Sequence, residues 1–216
     1  MTFKDPLMPD VPMVDGLRCE DHATYIVALE SVGIQFQIQG FLDFWKAKGF
    51  SPLDRGYETQ RFPAKHTALV RGPCKDKGAR EQIVGVSTSF DPQSPINRSL
   101  RLWGSHRYDP ETREIVPGRL QHLAYDVDPR KSMEEVCAEL EARGTQFMTP
   151  ILRYENQTGA TLEQRFVACK VPYGPFAEII RRGLGRHGEP FQGFNEEQID
   201  VLYEHYDAYS GRLLEQ

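Results

Sequence analysis

The sequence predicts an α+β fold of two paired βαβββ modules, with a helix added at the C-terminus. Three observations lead there. A seven-residue pattern occurs twice: Asp21-His22-Ala23-Thr24-Tyr25-Ile26-Val27 returns as Gln121-His122-Leu123-Ala124-Tyr125-Asp126-Val127, with His, Tyr and Val in the same places. Each copy is followed by an apolar stripe at helical spacing that stops at a glycine, Trp45-Lys46-Ala47-Lys48-Gly49 in one and Leu140-Glu141-Ala142-Arg143-Gly144 in the other. Each stripe is then followed by three strand-like runs. At 216 residues the chain is long enough to bury an ordinary core.

Residues 1–18 contain Pro and Met without periodicity and read as an irregular lead-in. The first module spans 19–91. Its opening strand is the β-branched run from Ala23 to Leu29. Ile38, Phe41, Leu42 and Trp45 make the apolar face of a helix, and Gly49 stands where a left-handed C-terminal residue belongs. Strands are expected at 57–62, 67–71 and 82–90. Residues 92–118 form a polar connection with a strand candidate at Ser99 to Trp103. The second module, 119–183, opens with the strand 120–127. Asp128 is read as a helix N-cap with Pro129 at the first helical position. Met133, Val136 and Leu140 then give an apolar stripe. Strands follow at 148–153, 162–171 and 176–182, the last two joined by the turn Pro172-Tyr173-Gly174-Pro175. Residues 184–216 hold a Gly-rich stretch and the terminal helix. Asn195 is its expected N-cap, Gln198 completes a capping box, and Ile199, Leu202, Tyr203 and Tyr206 supply one apolar face.

Composition narrows the function. A net charge of −5 argues against a phosphate-tracking surface, so no nucleic-acid partner is expected. No apolar run is long enough to cross a bilayer, so no membrane partner is expected either. No basic-then-apolar leader is visible at the N-terminus. Cys19, Cys74, Cys137 and Cys169 are scattered with no CxxC spacing, which reads as free thiols in a reducing cytoplasm. Oligomeric state is left open, a homo-oligomer included.

The chemistry converges on three residues. If the two copies pack by a pseudo-twofold axis, His22 and His122 meet. A repeat could preserve two histidines for packing alone, but neutral imidazole is also the commonest protein metal ligand. Glu178 stands in the apolar run Phe176-Ala177-Glu178-Ile179-Ile180 and shares a strand face with Phe176 and Ile180. An inward carboxylate is costly without a cation. The bland alternative is an ion pair with Arg165, Arg181 or Arg182. Two histidines and one carboxylate make the facial triad of non-haem Fe(II) sites, which leaves positions open. His66, His106, His187 and His205 read as exposed or locally hydrogen-bonded. Glu81 becomes a fourth ligand only if the strand register is shifted.

These residues resemble the vicinal oxygen chelate superfamily (the glyoxalase, bleomycin-resistance and dioxygenase group). The second module is most similar to the metal-binding domain of 4-hydroxyphenylpyruvate dioxygenase. Gln121-His122-Leu123-Ala124 is similar to that family's Gln-His-(Ile/Leu)-Ala ligand segment, and Asp21-His22 to its Asp-His strand. Leu162-Glu163-Gln164-Arg165-Phe166 resembles a Leu-Leu-Gln-Ile-Phe segment. Phe176 to Arg182 resembles the Phe-x-Glu-Ile-Ile-Gln-Arg strand that carries the carboxylate ligand. Gly193-Phe194-Asn195 and the helix after it resemble a C-terminal gating helix. The family's usual extra N-terminal domain has no counterpart in this sequence.

The resemblance implies an Fe(II) dioxygenase acting with O₂ on a small aromatic substrate such as an aryl 2-oxo acid. His22, His122 and Glu178 would hold the metal, which on isolation could equally be Zn, Ni or Co. Gln164, Phe166 and Phe194 would contact substrate. The alternatives are an extradiol catechol dioxygenase, a glyoxalase- or epimerase-like metalloenzyme, and a ligand-sequestering protein without catalysis.

Overall fold

The computed structural model describes residues 5–28, 34–53, 57–74, 80–109, 113–189, 191 and 196–216. The elements of the first module are β1 (Leu17–Ile26), α1 (Ile34–Ala47), β2 (Ser51–Pro52), β3 (Tyr57–Thr59), β4 (Ala64–Cys74) and β5 (Arg80–Ser89). The connection holds α2 (Pro95–Trp103) and the hairpin β6 (His106–Asp109) and β7 (Glu114–Pro117). The second module comprises β8 (Arg119–Val127), α3 (Met133–Ala142), β9 (Leu152–Glu155), β10 (Thr161–Val167) and β11 (Phe176–Arg182), and α4 (Glu196–Leu214) follows. Among the described residues, no helix is long and apolar enough to cross a membrane.

The strands of the two modules form one sheet in the order β2-β4-β5-β1-β8-β11-β10-β9, with β3 also on β4, while β6 and β7 pair only with each other. Each module contributes one half. The first strand of each lies parallel to its last, β1 beside β5 and β8 beside β11, and the two first strands meet antiparallel. Ala23 faces Leu123 at that seam, its own counterpart in the repeat, so the pseudo-twofold axis passes there. The duplicated heptapeptide is thus the hinge of the symmetry.

Alternation along the strands separates two apolar layers. Tyr25, Val27, Ala177 and Ile179 face the helices α1 and α3, joining Phe41, Trp45, Met133, Val136 and Leu140. Ile26 and Phe176 face the other way, into the concave side, where α2 and α4 supply Ile96, Leu100, Leu202, Tyr203 and Tyr206. Both module helices end alike. Gly49 and Gly144 take φ of +84° and +90°. Phe50 N–H then donates back to Trp45 O and Thr145 N–H to Leu140 O, at 3.1 and 3.0 Å, satisfying otherwise orphaned carbonyls.

Several expectations are corrected. Ser99 to Trp103 is helical, not extended. Ser94 caps α2 by accepting from Asn97 N–H, and Pro95 stands at its start, so capping decides a stretch whose alternation suggested a strand. Asp128 does not cap α3. Its Oδ1 accepts from Arg130 N–H in a turn, and Ser132 caps the helix in a capping box with Glu135. The expected strand at 148–153 shrinks to β9, because Thr149-Pro150 interrupts the ladder after an isolated Phe147–Val167 bridge. β10 stops at Val167, short of the expected Val171. β1 begins at Leu17, inside the expected lead-in; Leu29, its expected end, lies outside the described residues, as does Asn195, the expected cap of α4. Cys137 and Cys169 are free and buried; the side chains of Cys19 and Cys74 are outside the description.

Helix α4 lies across the concave face and is fastened at its second half. Tyr206 Oη donates to Gly174 O at 2.9 Å, and Tyr173 N–H donates to Ser210 Oγ at 3.0 Å. Asp207 accepts from Tyr173 Oη at 2.6 Å and from Arg98 at 2.9 Å. The turn 172–175 and α2 therefore grip the helix, while its first half, Gln198 to Tyr203, roofs the cavity.

Candidate metal centre

His22, His122 and Glu178 converge in the cup. His22 Nε2 lies 3.3 Å from His122 Nε2, and Glu178 Oε2 lies 3.3 and 3.4 Å from the two nitrogens. All three side chains are buried, and they are a group among the described residues that could hold a metal ion. The near-equilateral triangle suits one ion touching each donor at about 2.1 Å, the usual distance for imidazole nitrogen and carboxylate oxygen.

The backbone explains the convergence. His122 pairs in register with Phe176, and Glu178 with Ala124, two residues along. Thr24 sits opposite His122 across the seam, which brings His22 to the same level. Each histidine lies in or beside a β-bulge. Between the Thr24–His122 and Tyr25–Leu120 pairs, β8 carries one extra residue, Gln121; β1 carries its extra residue within Asp21-His22. Bulges re-aim side chains beside active sites, and here each lets two adjacent side chains serve one site.

The two histidines are held differently. His22 Nδ1 donates to Asp21 Oδ2 at 2.8 Å, and the same oxygen accepts from Arg182 at 3.2 Å. A carboxylate behind a ligating imidazole fixes its tautomer with Nε2 toward the metal. Against the cost of burial, His22 and Arg182 hold Asp21 well below the usual carboxylate range. His122 Nδ1 has no hydrogen-bond partner among the described residues. Its ring is instead stacked on Phe176, with centroids 5.0 Å apart and planes 23° apart. Glu178 Oε1 accepts from Gln164 Nε2 at 2.6 Å, leaving Oε2 for the triad.

The bland reading of Glu178 fails. Arg165 pairs with Glu141, Arg181 with Glu163 and Arg182 with Asp21, so none of the three neutralises it. In the metal-free protein a single proton does. Burial opposes charge on His22, but hydrogen bonds to Asp21 and Glu178 raise its pKa to about 9. Burial pushes His122 down to about 3. Burial also opposes charge on Glu178, yet its bond to His22 keeps it ionised. A metal ion would take the place of that one proton.

A pH signature follows. Between pH 5 and 8 only His22 is protonated in the triad, so an entering ion should release one proton. Zn(II) titration calorimetry at pH 7 in two buffers of different ionisation enthalpy should report one proton per ion; zero or two would contradict the assignment. The sign for stability is set by a raised pKa. In metal-free protein the His22 contribution is whole below its unfolded value of about 6.5 and is lost as pH rises through about 9.

A cavity of about 170 Å³ opens from the triad. Gln164 and Phe166 line it, as do His66, Ser87, Gln121 and Tyr203. Of the expected substrate-contacting residues, Gln164 is also bonded to Glu178, and buried Phe166 stands edge-on to Phe176, centroids 5.8 Å apart. Phe194 lies outside the described residues. His66 is buried inside β4 with local hydrogen bonds, not solvent-exposed. Glu81 lies exposed at the start of β5 and is no part of the triad. Sequence reasoning missed Asp21 as the support of His22, although its adjacency in Asp21-His22 was a signal. It also missed Phe176 as the support of His122.

No protein-family model matches the chain. No curated protein matches it in sequence. Solved structures do resemble it. A xylose isomerase-like TIM barrel/4-hydroxyphenylpyruvate dioxygenase fusion protein matches with a TM-score of 0.55 and 17% identity, over 88% of this chain and 29% of that one. Methylmalonyl-CoA epimerase from Streptomyces coelicolor, in complex with 2-nitronate-propionyl-CoA, matches with a TM-score of 0.49 and 13% identity, over 76% of this chain and 97% of that one. The architecture is the vicinal oxygen chelate fold.

Proposed function

We propose that this chain is a non-haem Fe(II) dioxygenase acting on a small aromatic substrate, with aryl 2-oxo acids as the best-fitting class. One observation carries the reading. The pseudo-twofold places Gly85 where Glu178 has its counterpart: Glu178 pairs with Ala124 on β8, and Gly85 pairs with Thr24 on β1. A fourth protein ligand would stand there in a symmetric site. Instead, a Cβ built on Gly85 would meet Thr24 Oγ1 at 2.9 Å. Large and small have been exchanged, with Glu beside Ala in one half and Gly beside Thr in the other. Three protein donors leave the side toward the cavity open, as dioxygen chemistry requires. Glyoxalase- or epimerase-like catalysis, which usually employs a fourth ligand, is disfavoured on the same ground.

When bound, Fe(II) at such a triad supplies Lewis acidity and reducing electrons to a bidentate oxygen ligand and O₂. The protein's own residues do the rest. Asp21 and Arg182 orient His22, and Gln164 orients Glu178. Phe166 offers an apolar wall to an aromatic ring; such contacts contribute about 0.5–1.5 kcal/mol beyond burial. Ile199 and Leu202 on α4 roof the cavity and exclude bulk water.

The test is anaerobic reconstitution with Fe(II), followed by a screen of aryl 2-oxo acids and catechols. The expected result is a visible charge-transfer band and O₂ uptake with the 2-oxo acids. Response to catechols alone would favour ring cleavage, and no response to either would remove the oxidative reading. A second expectation concerns the open side. Thr24→Ala combined with Gly85→Glu should restore a fourth ligand, tightening Zn(II) binding by about tenfold or more and abolishing the 2-oxo acid band. An unchanged band would show that Gly85 does not face the metal position.

A further inference from the structure

Thr24 stands beside the triad without belonging to it. It lies two residues past His22 on β1, so both side chains leave the same face of the strand. Across the seam it pairs in register with His122, and on its other side with Gly85. Its side chain is buried and lines the cavity. A Cβ built on Gly85 would lie 2.9 Å from Thr24 Oγ1 but 3.6 Å from its Cβ and Cγ2. The hydroxyl, not the methyl, therefore leans into the space where the side chain of a fourth ligand would begin.

Among the described residues the Thr24 hydroxyl has no hydrogen-bond partner, whereas its polar neighbours are committed. Gln164 donates to Glu178 at 2.6 Å, Gln121 donates to Tyr203 at 3.1 Å, and His66 and Ser87 are hydrogen-bonded at 2.7 Å. The repeat supplies a comparison. Ala124 holds the same place in the second module, fully buried in an apolar cluster with Leu162, Ile180 and Phe191. A methyl suffices there. On β1 the same place carries a polar group, and a buried hydroxyl is costly unless its hydrogen bond is made. A ligand in the cavity can make it.

We infer that Thr24 donates a hydrogen bond to the coordinating atom of the ligand that fills the open side of the triad. Thr24 thereby selects ligands whose bound atom keeps a lone pair after coordination, such as a carboxylate, oxo or phenolate oxygen. A ligand held through an atom with no lone pair left gains nothing from it. Gly85 serves the same end, since a side chain there would push the hydroxyl aside. The inference rests on the three-donor reading of the centre, but on no particular substrate and on no oxygen chemistry.

The experiment loads the full-length protein with Co(II) and titrates it with azide and, separately, with imidazole, each followed by visible absorption. The bound nitrogen of azide keeps lone pairs; that of imidazole does not. Thr24→Val keeps the shape and removes the hydroxyl. Azide should bind this variant about tenfold more weakly than wild type, the factor expected for a hydrogen bond to a charged group, while imidazole and Co(II) bind as before. Thr24→Ser should restore the azide affinity, which a merely structural role would not do. Thr24→Ala takes the place of the valine variant if that one does not fold, with the same expected losses. An azide affinity that the valine or alanine variant leaves unchanged, an equal loss for azide and imidazole, or a serine variant as weak as valine would overturn the inference and leave the three-donor centre standing. Wild-type protein that takes up no Co(II), or whose Co(II) bands azide leaves unmoved, would overturn both.

Discussion

Replacing Glu178 with alanine is expected to abolish stoichiometric metal binding. Outer partners of a metal ligand are worth about 10–100-fold in affinity, so loss of a ligand itself should exceed that. The buried carboxylate is bonded to His22 and Gln164 and lies 3.4 Å from His122 Nε2. Metal-free stability should also fall. Removing one partner of a buried charge pair costs on the order of 3–5 kcal/mol, here because the His22 proton loses one of its two carboxylate partners. Glu178→Gln keeps the volume and separates ligand loss from packing loss. Metal analysis and chemical denaturation of both variants check the expectation. Wild-type metal content in the alanine variant would remove the triad as the binding site.

The largest stability effect is expected at Phe176. The side chain is fully buried. It contacts the His122 ring, the edge of Phe166 and the ring of Tyr206, with centroids 5.0, 5.8 and 5.1 Å away. Truncating a buried phenylalanine to alanine costs about 3–5 kcal/mol, which for this chain length lowers the melting temperature on the order of 10 °C. A second loss should accompany it. His122 has stacking where His22 has a carboxylate, so Phe176→Ala should also weaken metal binding, by about the 10–100-fold typical of an outer support. Phe176→Leu should recover much of the stability while leaving the metal defect. Thermal melts and metal titrations read the two separately; recovery of both together would assign Phe176 to packing alone.

These effects bear on what the sequence could reveal. The repeat announced the seam because a strand pairing needs only the right residues at the right register, and His22 and His122 carried that register openly. Glu178 was legible because a charge in an apolar strand demands a partner. The helix at Pro95–Trp103 was not, because Ser94-Pro95 capping competed with an alternating pattern and both are local signals of similar strength. Gly85 acquires meaning only once β5 is paired with β1, since the absence of a side chain says nothing until its symmetric counterpart is known. The polar cavity lining around His66 was hidden for the same reason. Its members come from β4, β5, β8 and α4, and no spacing along the chain connects them. That His122 Nδ1 has no polar support among the described residues is likewise a property of packing.

The most direct test of the three-donor centre is Co(II) titration of metal-free protein under anaerobic conditions, followed by visible absorption before and after phenylpyruvate. One ion per chain is expected, with the weak bands of a five- or six-coordinate site that shift when the 2-oxo acid is added. No saturable binding, or the intense bands of a closed four-coordinate site indifferent to phenylpyruvate, would contradict an open centre built from His22, His122 and Glu178.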